Sequence, residues 1–208
     1  MMRKIIFATG NEGKMKEVRM IFQDMNVLVL SLKDAGISID IEENGISFKE
    51  NAIIKAKAIA KICHEIVLAD DSGLEVDYLE KEPGIYSARY LGEDTSYTIK
   101  NQVILDRLEG VPEEKRSARF VCAIAAVFPD GEIITTEGFM EGNIGYEASG
   151  SNGFGYDPIF ILPKYGCSTA DLTPEQKNCE SHRGKALKKM KEELKKKSVG
   201  EVNESSYC

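Results

Sequence analysis

No apolar run in this sequence approaches the ~20 residues that a membrane-spanning helix needs. The first apolar stretch, Ile5 to Ala8, is too short for the core of a secretory signal, and polar and charged residues follow it at once. The expectation is therefore a protein with neither an export signal nor a membrane segment. A basic excess is also missing: 27 Lys and Arg stand against 34 Asp and Glu, a formal net charge of −7. Binding along a nucleic-acid backbone needs a basic footprint, so that class of partner is disfavoured. A nucleotide is not excluded, because a few lysines in one cleft outweigh the average field locally. The five cysteines (Cys63, Cys122, Cys167, Cys179, Cys208) are odd in number, scattered and without a C-x-x-C pair. That supports neither a disulfide framework nor a zinc site, and a reducing cytoplasm is the expected compartment. Only two histidines occur, and no internal repeat is visible.

What is present has the balance of an ordinary globule: 208 residues, 42% hydrophobic and 29% charged. This length suits one domain or two closely joined lobes. The expected division is a single α/β domain over 1–197 and a polar, disordered tail over 198–208. Apolar patterning predicts strands at 3–9, 27–30, 66–69, 118–128, 132–139 and 159–162, and an antiparallel neighbour at 74–79. It predicts helices at 14–24, 47–63, 95–108 and from Ser181 to about Lys196. Ser47 and Glu50 form a capping-box pattern before the second of these. Strands and helices alternate early and strands pair as hairpins later, which implies an α/β fold with a mixed sheet.

Five stretches have residues suited to chemistry. In the first, the opening strand ends in Thr9-Gly10-Asn11-Glu12-Gly13 before Lys14 and a helix. Free N–H groups at a helix start, with an ammonium beside them, attract phosphate. The spacing is G-x-x-G-K followed by Met15, so this is not a P-loop, and a plain strand–helix turn is an equal alternative. The second is Leu-Ala-Asp70-Asp71-Ser72-Gly. Two acids at the end of an apolar strand are costly unless paired, and they suit a hard divalent cation. An Asx turn is the plainer alternative. The third, Glu42-Glu43-Asn44-Gly45, is a solvated loop unless the fold brings it beside Asp71. The fourth, Gly-Ser-Asn-Gly-Phe154-Gly155-Tyr156-Asp157-Pro, sets aromatics in a flexible loop. Phe154 suits stacking on a base, and Tyr156 and Asp157 suit its edge or the sugar; the alternative is an anchor to the core. The fifth, Lys177 with Ser181-His182-Arg183-Gly-Lys185, puts donors at a helix start, where Arg suits a keto oxygen or a phosphate. Together they describe a nucleoside triphosphate bound with a metal.

These residues carry a resemblance. FATGNEGKMKEV, SFKENAIIKAKA, LADDSGLEVDYL, PGIYSARYLGE, GSNGFGYDPIF and SHRGKAL, in that order from residue 7 to 187, resemble the inosine triphosphate pyrophosphatase (dITP/XTP pyrophosphatase) family. The resemblance implies an elongated α/β fold with a mixed sheet flanked by helices and two lobes around a substrate cleft. It also implies a homodimer, and Mg²⁺-dependent hydrolysis of ITP, dITP or XTP to the monophosphate and pyrophosphate. By the same resemblance Thr9, Gly10, Asn11, Gly13 and Lys14 hold the phosphates, and Glu42 and Asp71 hold Mg²⁺. Glu43 is the alternative to Glu42 by one residue, and Asp70 is a further candidate. Asp71 is also the base for the attacking water, and Lys14 supplies charge in catalysis. Ser72 touches substrate, Phe154, Gly155, Tyr156 and Asp157 embrace base and sugar, and Lys177, His182 and Arg183 read the base. By the same resemblance Glu180 is a departure, since the family usually has an apolar residue before SHR. The competing readings are a nucleotide sensor without hydrolysis and a hydrolase for other modified nucleotides, such as methylated pyrimidine triphosphates.

Overall fold

The computed structural model describes residues 3–204. In chain order the elements are β1 (Arg3–Phe7), α1 (Glu12–Phe22), β2 (Val27–Ser31), α2 (Phe48–Ala60), β3 (Ile66–Val76), α3 (Tyr97–Arg107), β4 (Ser117–Val127), β5 (Ile133–Ile144), β6 (Phe160–Leu162), β7 (Cys167–Ser168), α4 (Pro174–Glu180) and α5 (His182–Glu204). The strands form a seven-stranded sheet in the order β2-β1-β3-β4-β5-β6-β7. β1 pairs in parallel with β2 and β3, whereas β6 pairs antiparallel with β5 and β7. The expected mixed α/β sheet is thus what forms.

One expectation is corrected. Residues 66–69 and 74–79 are not separate antiparallel neighbours: β3 runs unbroken from Ile66 to Val76 through Asp-Asp-Ser-Gly. The strand is buried along nearly its whole length, so both of its faces are covered. The polar pair at its middle is held by ion pairs and hydrogen bonds, which removes the need for a solvent-facing turn there.

Chain contacts divide the molecule into two compact units. The first comprises residues up to Asp71, Cys122–Gly138, and the chain from Arg183 onwards. Its core packs Ile5, Phe7 and Leu68 with Met15, Val18 and Phe22 of α1 and Leu187, Met190 and Leu194 of α5. These positions recur at helical spacing, so each helix buries one apolar stripe. The second unit comprises Ser72–Val121 and Phe139–His182. Its core gathers Leu74, Val76, Ile104, Leu108, Phe120, Tyr156, Ile159 and Phe160. Strands β3, β4 and β5 each contribute residues to both units.

Helix starts follow local chemistry. Asn11 Oδ1 accepts from Lys14 N at 3.1 Å and caps α1. Ser47 Oγ caps α2 by accepting from Glu50 N, while the Glu50 carboxylate accepts from Ile46 N rather than from Ser47. α4 was not anticipated, although Thr173-Pro174-x-Gln176 carries its signature: Thr173 and Gln176 make a complete capping box, with Pro at the first helical position. α5 extends to Glu204, beyond the Lys196 at which the pattern places its end; the last four residues of the expected tail lie outside the described residues.

Candidate active site

In the first unit the geometry follows from strand alternation. Successive side chains of β3 point to opposite faces of the sheet. Leu68 and Asp70 face α1 and α5, while Asp71 faces α2. The two adjacent acids therefore enter different environments.

Asp70 is 2% exposed. Lys14 Nζ donates to both of its oxygens, at 2.9 and 3.2 Å, and Arg183 Nε donates to Oδ2 at 3.2 Å. Arg183 also approaches Glu17, with Nη1 3.5 Å from Oε2. Burial alone would raise the Asp70 pKa; the Lys14, Arg183 and Lys55 charges outweigh it and hold the carboxyl well below the usual range. Burial disfavours the Arg183 cation in turn, but Asp70, with Glu17 and other neighbours, more than offsets that and keeps the guanidinium charged.

Asp71 behaves in the opposite sense. Burial raises its pKa, and the Lys55 charge opposes this without cancelling it. Asn51 Nδ2 donates to Asp71 Oδ2 at 3.1 Å, and Lys55 Nζ lies 3.6 Å from Oδ1. The same ammonium pairs with Glu43 at 3.1 Å. Asn51 Oδ1 accepts from Gly45 N at 2.8 Å, which ties the acidic loop to α2. Gly45 is required there, because a Cβ would lie 2.7 Å from Asn51 Oδ1 and 2.8 Å from Glu50 Cβ. The fold thus brings the acidic loop to Asp71. Glu43 is the acid in contact with Lys55, while its neighbour Glu42 is exposed.

The opening turn lies in this unit too. Thr9 is buried, and its Oγ1 accepts from Asn11 N at 3.1 Å. A Cβ on Gly10 would meet nothing within 4 Å, so packing does not demand that glycine. Gly13 is tighter, since its Cβ would stand 3.1 Å from Asn11 Oδ1.

A divalent cation fits this donor set. Among the described residues no group of three or more His, Cys, Asp or Glu is arranged to hold a metal. Mg²⁺ needs only one or two carboxylates, with waters and substrate phosphates completing its shell. The Lys55 ammonium, set between Glu43 and Asp71, marks a point where those acids already favour positive charge.

In the second unit the Gly-Phe-Gly-Tyr-Asp loop is fixed at almost every residue. Asp157 is 3% exposed; its Oδ2 accepts from Phe154 N at 2.7 Å and pairs with Lys177, and its Oδ1 accepts from Thr169 at 2.9 Å. A Cβ on Gly153 would meet Asp157 Oδ2 at 2.3 Å, and Gly153 has φ +80°. Asn101 Nδ2 donates to Gly155 O at 3.1 Å. Tyr156 is the anchor: it is buried, its hydroxyl donates to Ser87 O at 2.8 Å, and Tyr97 meets its ring edge-on. Phe154 is the opposite case, 65% exposed, with the Lys177 ammonium 5.1 Å from its ring centre. His182 stacks on Phe120, with centroids 5.1 Å apart. Ser72, half-buried, is the first residue of this unit, and the departing Glu180 pairs with Lys164 at 2.5 Å.

The Ham1 family model matches residues 5–193. The chain belongs to the Ham1 family. A dITP/XTP pyrophosphatase of Clostridium perfringens is 48% identical over 200 residues, covering 93% of this chain and 98% of that protein. A dITP/XTP pyrophosphatase of Bacillus subtilis is 47% identical over 189 residues, covering 91% and 96%. The solved Ham1 protein of Staphylococcus aureus superposes with a TM-score of 0.87 at 41% identity, covering 94% of this chain and all of that one. The resemblance drawn from the motifs is therefore borne out at the level of family and fold.

Sequence reasoning missed Asn51, Lys55 and Glu17 in the first unit, and Tyr97, Asn101 and Thr169 in the second. For Asn51 and Lys55 a signal existed. They are four apart on α2 and interrupt a helix whose buried positions are otherwise Phe48, Ala52, Ala56 and Ile59. Among the described residues no helix is long and apolar enough to cross a membrane.

Proposed function

We propose that this protein hydrolyses non-canonical purine nucleoside triphosphates (ITP, dITP and XTP) to the monophosphate and pyrophosphate. The observation that carries the reading is the pair of adjacent acids on β3: Asp70 takes Lys14 and Arg183, while Asp71 meets Asn51 and the Lys55 that also pairs with Glu43. Its support beyond the geometry is the likeness to relatives named dITP/XTP pyrophosphatases.

In this reading the turn from Thr9 to Lys14, through Gly10, Asn11 and Gly13, holds the triphosphate, and the Lys14 ammonium offsets charge that grows as the α–β phosphoanhydride bond breaks. Asp71 orients the water that attacks the α-phosphorus and accepts its proton, so that pyrophosphate leaves and the monophosphate remains. Mg²⁺, held by Asp71 with the Glu42–Glu43 acids, would supply further positive charge to the phosphates. Ser72 touches substrate. Phe154 stacks on the base, with Gly155, Tyr156 and Asp157 shaping the loop that presents it, and Lys177, His182 and Arg183 supply donors. A donor facing the 6-keto oxygen of hypoxanthine or xanthine would be left unpaired by the amino group of adenine, which disfavours ATP. The protein acts in the cytoplasm, without membrane or nucleic acid, and as a homodimer.

The test is pyrophosphate release from ITP, XTP, dITP, GTP and ATP, with Mg²⁺ and with chelator, for the parent and Asp71→Asn. Metal-dependent release from ITP and XTP, lowered by about 10²-fold or more in the variant, is expected. Binding of ITP without any release would favour a nucleotide sensor instead, and dimerisation is read separately by sedimentation.

A further inference from the structure

Lys14 and Arg183 arrive from different helices, α1 and α5, and meet on one buried carboxylate. Asp70 Oδ2 accepts from both cations, at 2.9 Å from Lys14 Nζ and 3.2 Å from Arg183 Nε. Arg183 is itself only 6% exposed, so its guanidinium is fixed in place rather than free to sample the surface. A lysine alone on a first helical turn would swing through many rotamers and lose entropy on gripping an anion. Asp70 removes that freedom in advance. A lysine–aspartate pair alone, however, is neutral and a poor anion receptor. Arg183 draws on the same Oδ2, so Asp70 neutralises Lys14 less fully, while Glu17, 3.5 Å from Arg183 Nη1, offsets part of the added charge.

We propose that Asp70 is a positioning residue which clamps Lys14 against Arg183, so that Arg183 strengthens binding of the triphosphate whatever base is attached. This deepens the proposed function and rests on it. It gives Arg183 a role at the phosphates that a base-reading donor alone would not have.

The probe is inorganic tripolyphosphate, which carries the phosphates and no base, used as a competitive inhibitor of ITP hydrolysis. Arg183→Gln is expected to weaken tripolyphosphate inhibition by about tenfold. Arg183→Lys, which keeps the charge, should retain most of the affinity. In a Lys14→Ala background the same Arg183→Gln change should have little further effect, because the clamp then has nothing to position; a general structural defect would weaken inhibition again. An Arg183→Gln enzyme that is inhibited like the parent, while its preference for ITP over ATP collapses, overturns the clamp and leaves the hydrolase reading intact. A parent that cleaves none of the triphosphates overturns the hydrolase reading, and the clamp with it.

Discussion

At the scale of single residues, the informative feature is that neighbours in sequence are strangers in space. Asp70 and Asp71 share a peptide bond, yet one is held ionised by Lys14 and Arg183 and the other is pushed toward protonation by burial. The alternation of a strand is enough to explain this, since it sends the two side chains to opposite faces. On the Asp71 side the chain Gly45 N, Asn51 and Asp71 is continuous: each group is held by the next. Gly45→Ala would drive a Cβ into Asn51 Oδ1 and break it. The expected outcome is a loss of about 1–3 kcal/mol in stability from the clash and the unmade hydrogen bond, read by urea unfolding. A fall in kcat should accompany it, because Asp71 loses the orientation that Asn51 gives. Unchanged unfolding and turnover would show that the acidic loop does not support Asp71.

At the scale of elements, α3 explains how a loop with so many glycines stays put. Its Asn101 holds Gly155, its Tyr97 braces Tyr156, and its buried Lys100 donates to Ala88 O at 2.6 Å. Asn101→Leu keeps a side chain of similar size but removes the donor. A rise in KM for ITP of about tenfold is expected, with tripolyphosphate inhibition unchanged, because in the proposed function the loop serves the base and not the phosphates. A shift in both would place α3 in general stability instead. The sequence made the long elements legible, since α1 and α5 carry helical stripes that the core of the first unit takes up, and the stripe of α2 is buried as well. It was ambiguous at Asp-Asp-Ser-Gly, where polar residues look like a turn and only the cations brought from α1 and α5 make an unbroken strand affordable. It was ambiguous again at Phe154 and Tyr156. Each could stack or anchor, and the partners that separate them, Ser87 and Tyr97, lie more than fifty residues away. Lys55 was missed for the same reason: its significance comes from Glu43 and Asp71, which sit on other elements.

At the scale of the whole molecule, the two acids should give the stability curve a readable shape against pH. Carboxylates with lowered pKa values also occur at Asp24, Asp34, Asp130 and Asp171, but these are solvent-exposed and screened, so little stability is assigned to them. Asp70 is buried and its folded pKa is depressed, so its contribution is present above the unfolded carboxylate value of about 3.9 and is lost as pH falls below it. Asp71 has the reverse sign. Its folded pKa is raised, so the folded state binds the proton more readily than the unfolded chain does, and acidification from neutrality stabilises the protein until the unfolded carboxylate also protonates. Thermal midpoints measured in chelator across this range should therefore rise slightly on mild acidification and then fall below about pH 4. Asp71→Asn should remove the rise and keep the fall. Asp70→Asn should flatten the fall and lower the midpoint at neutral pH, since Lys14 and Arg183 lose the carboxylate they share while Arg183 keeps Glu17, a loss of about 1–3 kcal/mol. A curve whose rise and fall are both untouched by these substitutions would mean that the buried acids contribute nothing to the acid response, and that the exposed carboxylates govern it.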